Sequence, residues 1–394
     1  AREMRRAPLH LPLPTAGATT SKRPTAVRIA PSYSLPTLHV LDASRVVGVV
    51  SDLLAPVRKA ALDRETRALP ANLRDQHAGK ATRPLLAVDK ARQNGARLEF
   101  ADLPIPEFTG TRLVEPELAT LREYIDWTFF FHAWELRGRF PAILDHPEMG
   151  PAASELYENA QTLLDEIIAN RSLTAKGVYG FWGAHARGDD ILLESGLRLP
   201  MLRQQVEHGE ERPYLSLADF ISPTPGDHLG AFAVTAGIGA DELAGRYQAE
   251  GDDYRSIMVK ALADRFAEAF AEYLHEVVRN EWYDDAKLPK EDLVAEKYRG
   301  IRPAYGYPAC PDHSEKGRLF ELLDAGRAGM ELTETFSMLP AAAVSGIYFA
   351  HPDARYFPVG KIGRDQVKDY ADRKGMTVEE AERWLTPNLG YERD

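Results

Sequence analysis

Arg299-Gly-Ile-Arg-Pro-Ala-Tyr-Gly-Tyr-Pro-Ala-Cys-Pro-Asp-His-Ser-Glu-Lys316 is the stretch on which the reading of the whole chain turns. It holds three prolines, two glycines, two tyrosines and the only cysteine of the protein. Proline fixes φ and removes a backbone donor, while glycine allows backbone conformations and close approaches denied to other residues. The segment therefore reads as neither helix nor strand. It is a rigid, irregular loop whose amides and carbonyls are set before any ligand arrives. A connector that merely turns a corner has the same composition, so a function for the loop has to come from its surroundings.

Upstream, Asp253 to about Trp282 is the longest predicted helix. Met258, Leu262, Phe266, Phe270, Leu274 and Val277 or Val278 form its apolar stripe. Lys260, Asp264, Glu268, Glu272 and Glu276 recur every four residues on another face, and Glu272 and Glu276 are expected to be solvated. His275 lacks the second ligand of a zinc helix and is expected to be structural. Downstream come a helix over 317–323, a strand over 331–338 and a strand over 343–350. Helices over 364–374 and after the capping box Thr377-Val-Glu-Glu380 close the chain, the last ended by Pro387.

Further upstream, Glu115-Pro116 opens a predicted helix with Leu118, Leu121, Ile125 and Phe129 at helical spacing, and Ser154 to Asn170 is another. Asp126 lies just before the aromatic cluster Trp127-Thr-Phe-Phe-Phe131, either at an exposed helix end or partly buried with a partner. Strands are predicted over 178–182, 191–193 and 230–235, the first two joined by a hairpin at Arg187-Gly-Asp-Asp190. Ala236-Gly-Ile-Gly-Ala-Asp241 is rejected as a nucleotide-binding fingerprint because no third glycine follows; Asp241 reads as a helix cap. Strands and helices do not alternate regularly. The fold class is α+β, with a mixed, mainly antiparallel sheet and flanking helices.

The 394 residues allow two or three domains. A net charge of −11 argues against nucleic acid, and a single cysteine excludes an internal disulfide and a cysteine-rich metal site. No apolar run nears the roughly 20 residues needed to span a bilayer, and the N-terminus lacks a signal peptide's apolar stretch. A cytoplasmic protein without a membrane partner is expected, and the missing initiator methionine suggests a fragment. Residues 1–50 read as strand, small-residue loop Gly17-Ala-Thr-Thr-Ser-Lys22, helix and a second strand, Thr37-Leu-His-Val-Leu41, which is too little to bury a doubly wound sheet. A charged helix over 57–73 and a Pro-rich extended crossing marked by Pro84, Pro104 and Pro106 follow.

Arg302-Pro-Ala-Tyr-Gly-Tyr-Pro-Ala-Cys-Pro-Asp-His313 closely resembles the signature of the reactivation domain of cobalamin-dependent methionine synthases, and the resemblance runs over about residues 15–394. It includes Tyr124-Ile-Asp-Trp-Thr128, the long helix, and Trp384-Leu-Thr-Pro-Asn-Leu-Gly-Tyr391. The resemblance implies an incomplete, Rossmann-like remnant of the cobalamin domain over 1–54, a linker over 55–76 and an S-adenosylmethionine-binding reactivation domain over 77–394. It assigns Asp126, Glu268, Arg302, Ala304, Gly306, Tyr307, Tyr356 and Phe357 to S-adenosylmethionine, and Gly17, Ala18 and Ala43 to cobalamin. In that role Arg302 clamps the ligand carboxylate, Asp126 or Glu268 takes the ammonium, and Tyr307 and Tyr356 face the sulfonium and ribose. Ala304 and Gly306 offer backbone groups to the adenine and ribose.

The Asp-x-His-x-x-Gly motif of the cobalt ligand is absent from the sequence, so cobalamin is expected only with the rest of its domain. No catalytic side chain is implied. The methyl group would pass to reduced cobalamin of a neighbouring domain, with a flavodoxin-like electron donor. An interaction module for a corrinoid protein, or an independent S-adenosylmethionine-dependent methyltransferase, are the alternatives. The zinc cysteines of the homocysteine and folate domains are not in the sequence.

Overall fold

A computed structural model describes residues 13–16, 37–40, 83–209, 212–284, 288–289 and 297–393. The chain divides into two compact units, Ala1–Arg83 and Pro84–Asp394. In the first, β1 (Leu13–Ala16) and β2 (Thr37–Val40) pair in parallel, with Leu13 opposite Thr37 and Ala16 opposite Val40. The expected cobalamin contacts Gly17, Ala18 and Ala43 lie outside the described residues, as do the helices expected over 25–29, 42–54 and 57–73.

The second unit is built on a six-stranded antiparallel sheet, in the order β10-β7-β4-β5-β6 with β3 also on β4. Its first elements are α1 (Val88–Gln93), β3 (Gly110–Val114), α2 (Leu118–Arg122), α3 (Trp127–Ala133) and α4 (Gly150–Asn170). β4 (Thr174–Arg187), β5 (Asp190–Leu193), β6 (Arg198–Pro200) and β7 (Asp227–Ile238) follow, then α5 (Ala240–Ala249) and α6 (Asp253–Trp282). α7 (Glu315–Leu323), the short β8 (Glu331–Leu332) and β9 (Met338–Leu339), β10 (Ala343–Tyr348), α8 (Arg364–Lys374) and α9 (Val378–Trp384) complete it.

Alternation along the central strands sorts the core into two layers. Tyr179 and Phe181 of β4, Phe232 and Val234 of β7, and Tyr348 of β10 point to one face, where α2, α3, α4 and α6 pack. Val178 and Ala184, Ala231 and Ala233, and Ile347 point to the other, covered by α7, α8, α9 and the 299–316 loop. The α6 stripe seals the first layer: Met258, Leu262, Phe266, Phe270, Leu274 and Val278 are all buried. Truncating either phenylalanine there costs about 3–5 kcal/mol.

Several sequence expectations are corrected. The helix expected from Glu115 through Phe129 is two helices, because the Asp126 carboxylate accepts the Thr128 N–H at 2.8 Å and starts α3 anew. Leu118, Leu121 and Ile125 are buried as expected, but Phe129 is 57% exposed. The single strand expected over 331–338 is the hairpin β8–β9. The Pro-rich crossing after Pro84 contains α1, and Gly239 rather than Asp241 caps α5. The antiparallel pairing of β7 with β4 and β10 leaves no β-α-β unit around Gly237 and Gly239, as the missing third glycine foretold.

Candidate functional site

The 299–316 loop is built onto the outer edge of β10. Ile301 and Phe349 exchange backbone hydrogen bonds at 3.2 and 3.0 Å, and the Ile347 N–H donates to the Pro303 carbonyl at 3.0 Å. Close approach demands Gly346, since a Cβ there would stand 2.8 Å from the Pro303 oxygen. From Ala304 the loop leaves the strand and folds on itself. The Tyr307 N–H donates to the Ala304 carbonyl at 3.2 Å, the Cys310 N–H to Tyr307 at 3.0 Å and the Gly306 N–H to Cys310 at 2.8 Å. Gly306 has φ +93°, and any Cβ would strike the His313 ring. The loop thus begins as an added strand and is irregular only beyond Pro303.

Where loop and strand part, a cleft of about 640 Å³ opens. Glu268, Arg302, Ala304, Tyr307, Tyr356 and Phe357 line it, together with Ser345 and Lys316. Gly306 sits in the loop wall between Tyr305 and Tyr307. Asp126 is not on the lining; it caps α3, whose Phe129 ring lies 5.9 Å from the Arg265 guanidinium, close in sequence to Glu268 on α6.

Arg302 is held on several sides. Its Nη2 meets Glu272 Oε2 at 2.7 Å, and its Nη1 donates to the Tyr298 hydroxyl at 2.6 Å and to His275 Nδ1 at 3.2 Å. Its backbone N–H donates to the Tyr356 hydroxyl at 3.1 Å. A guanidinium can only donate, so His275 Nδ1 accepts and the ring proton sits on Nε2, which donates to the Tyr283 hydroxyl at 2.9 Å. Burial first, then the Arg302 and Arg279 charges, hold His275 well below the usual histidine range. It is therefore neutral. Burial opposes the charge of Arg302, but Glu272 and the surrounding phenols raise its affinity for the proton above that of a free arginine.

Sequence reasoning missed Glu272, His275 and Tyr298 as supports of Arg302. Glu272 was expected in solvent but is only 9% exposed. The reason is helical drift: four residues turn the α-helix by one full turn plus about 40°. A row that is exposed at Lys260, Asp264 and Glu268 therefore swings under the loop by Glu272. Glu276, the next in the row, accepts the Tyr124 hydroxyl at 2.6 Å. Glu268 itself stands at the cleft, its carboxyl pushed above the usual range first by burial of its oxygens, then by Asp264 and Glu272, against the pull of Arg265 and Arg302. The Tyr307 hydroxyl is likewise raised, by burial and by the Glu268 and Asp264 charges.

The far end of the loop is fastened by a second set of charges. Asp312 accepts from Lys374 Nζ at 2.5 Å, from the Tyr370 hydroxyl at 2.8 Å and from the Ser314 N–H at 2.8 Å. Glu315 meets the same lysine at 2.9 Å. Burial works against ionised Asp312, yet Lys374 above all holds its carboxyl below the usual range. Cys310 is buried and donates its thiol to the Ala304 carbonyl.

The arrangement suits a zwitterion with a flat, polar remainder: a fixed guanidinium, a nearby carboxylate, two tyrosines and a strand edge. Among the described residues no group of three or more His, Cys, Asp or Glu could hold a metal, and no helix is long and apolar enough to cross a membrane. Residues 117–375 match the family model described as "Vitamin B12 dependent methionine synthase, activation domain". The chain is also similar to a solved structure described as "Crystal Structure of the MetH Reactivation Domain bound to AdoHcy", with a TM-score of 0.76 and 46% identity. That match covers 78% of this chain and 100% of the other.

Proposed function

The chain belongs to the activation-domain family of vitamin B12 dependent methionine synthase, and from that premise we propose that its cleft binds S-adenosylmethionine and presents the methyl group to cobalamin held by the cobalamin domain of the same enzyme. The observation that carries this is the fixed Arg302 guanidinium lining a cleft shared with Glu268. Three of its five donors are taken by Glu272, Tyr298 and His275, and the others are available to a carboxylate. Glu268 receives the ligand ammonium, with Asp126 as a second acid from the N-terminus of α3. The Tyr307 and Tyr356 rings flank the sulfonium and ribose, where a cation–π contact stabilises the charge that the methyl donor carries. Backbone groups of Ala304 and Gly306, with the Phe357 ring, frame the adenosine.

Reduced cobalamin, when bound by its own domain, supplies the nucleophile that accepts the methyl group. An electron donor of the flavodoxin kind is the expected partner that would keep that cofactor reduced. The chain itself needs no general base or nucleophile, because the sulfonium is already activated. Its contribution is orientation, which can be worth roughly 7–11 kcal/mol in favourable cases. We further propose that residues 1–54 are part of the cobalamin domain, 55–76 a linker and 77–394 the reactivation domain, and that the protein works in the cytoplasm. The rest of methionine synthesis then lies with the enzyme's other domains. Calorimetric titration with S-adenosylmethionine tests the reading: one ligand per chain is expected, and the absence of any saturable binding by folded protein would overturn it.

A further inference from the structure

Behind Arg302, α6 carries a second guanidinium that reaches neither the cleft nor solvent. Glu272, His275 and Arg279 stand at i, i+3 and i+7 and so share one face of the helix. Arg279 is 0% exposed, and its Nε, Nη1 and Nη2 have no hydrogen-bond partner among the described residues. Its ion pair there is with Asp284, at 3.7 Å. A buried cation with unspent donors is unfavourable, and an apolar residue of similar volume is often the more stable choice. The charge therefore answers to something other than stability.

What it meets is Tyr298. The Arg279 Cζ lies 4.8 Å from the centroid of the Tyr298 ring, the distance of a cation–π contact. The His275 ring meets the same tyrosine edge-on, with centroids 4.8 Å apart and planes at 88°. The Tyr298 hydroxyl in turn accepts from Arg302 Nη1 at 2.6 Å. The backbone that follows is fixed separately. Arg299 Nε donates to the Ala350 carbonyl at 2.6 Å, and a Cβ on Gly300 would stand 2.6 Å from the Tyr283 hydroxyl. What remains to be set is the turn of the Tyr298 side chain, which decides where its hydroxyl stands. Arg279 and His275 set it. The Arg279 charge also joins burial and Arg302 in keeping His275 neutral, so that Nδ1 stays an acceptor.

We propose that Arg279 is a positioning residue for the Arg302 guanidinium, acting through the Tyr298 ring. It holds that ring by its face, so the hydroxyl takes one donor of Arg302 and leaves the outward ones aimed into the cleft. A second positive charge behind the tyrosine also opposes any retreat of Arg302 into the interior, since like charges repel strongly where water is excluded. Arg302 is thereby kept between Glu272 and the cleft. The inference rests on the reading of Arg302 as the carboxylate clamp and deepens it.

The test measures two ligands by calorimetry on the whole chain. One is S-adenosylhomocysteine; the other is 5′-deoxy-5′-methylthioadenosine, which lacks the aminocarboxylate and is titrated in competition if it binds weakly. Arg279→Met keeps an unbranched side chain against Tyr298 and removes the charge, while Asp284, its side chain 23% exposed, can turn to water. It is expected to weaken S-adenosylhomocysteine about 10-fold, the size of a desolvated cation–π contact, and methylthioadenosine less than about 1.5-fold. Arg279→Lys keeps a cation over the ring without the planar stack and should recover part, leaving a loss of about 3-fold for S-adenosylhomocysteine alone. Circular dichroism and melting confirm folding, and Arg279→Lys carries the test should Arg279→Met not fold. Equal losses for the two ligands would give Arg279 a general structural role and overturn the proposal. So would parent-like affinity for S-adenosylhomocysteine in the folded variants; in either case the site reading stands. Parent protein that binds neither ligand overturns that reading and the inference with it.

Discussion

The two ends of the 299–316 loop each bury a charge against its opposite, and they differ in what is left over. At Asp312 the carboxylate is saturated by Lys374, Tyr370 and Ser314, and the void beside it is about 10 Å³, room for a single water. At Arg302 the guanidinium is gripped by Glu272, Tyr298 and His275, yet it still lines a cleft of about 640 Å³. A closed cluster can only hold the loop in place. An open one holds its central group and offers it to something else. Buried ion pairs by themselves do not mark a site; a buried pair with an unfilled side does.

Breaking the closed end should give the largest effect, and on stability. Asp312→Asn or Lys374→Met leaves a partner buried and uncompensated, for which about 3–5 kcal/mol is expected in urea denaturation. The pH dependence has a definite sign. Asp312 has a folded pKa below its unfolded value, so its contribution is present above the unfolded pKa and is lost as the pH falls through the folded one. Parent protein should lose this part of its stability only below the ordinary aspartate range, around pH 4, and Asp312→Asn should lack that component of the acid transition.

At the open end the effect should move to binding. Arg302→Ala is expected to cost roughly 2–4 kcal/mol of ligand affinity, about 30-fold to 1000-fold, with Arg302→Lys recovering part because an ammonium cannot form the fork. Glu268→Gln should be milder, on the order of 3-fold to 10-fold, since glutamine keeps the shape and one acceptor oxygen and loses only the charge. In the parent, affinity should fall as the pH drops through the raised Glu268 pKa, because the protonated acid no longer pairs with an ammonium; in Glu268→Gln that step should vanish. Tyr356→Phe, which removes the acceptor for the Arg302 N–H, should be smallest, about 0.5 kcal/mol, the low end for a single hydrogen bond. Glu268→Gln binding that keeps the parent's pH profile would show that another group receives the ammonium.

How much of this was legible follows from the kind of signal each feature leaves. α6 could be read because its apolar stripe repeats over about six turns, and α9 because Thr377 and Glu380 form a complete capping box. The antiparallel α+β architecture followed from strands that do not alternate with helices. The break at Asp126 was hidden, since Leu118, Leu121 and Ile125 keep helical spacing across it while a single side-chain cap restarts the helix. Glu272 was hidden by averaging a charged row that changes environment along its length; following its drift around the helix would have exposed it. Ser345 left no mark at all, because an open strand edge depends on where a segment more than forty residues earlier stops pairing. The loop's wording marked the site, but its supports are tertiary.

The most direct measurement is a calorimetric titration of S-adenosylhomocysteine into parent and Arg302→Ala protein, with circular dichroism on both. The open-end account predicts saturable binding to the parent and at least a 30-fold weaker constant for a variant whose fold signal is unchanged, the lower end of the range for a charge losing its partner. Equal affinity in the two folded proteins would contradict it.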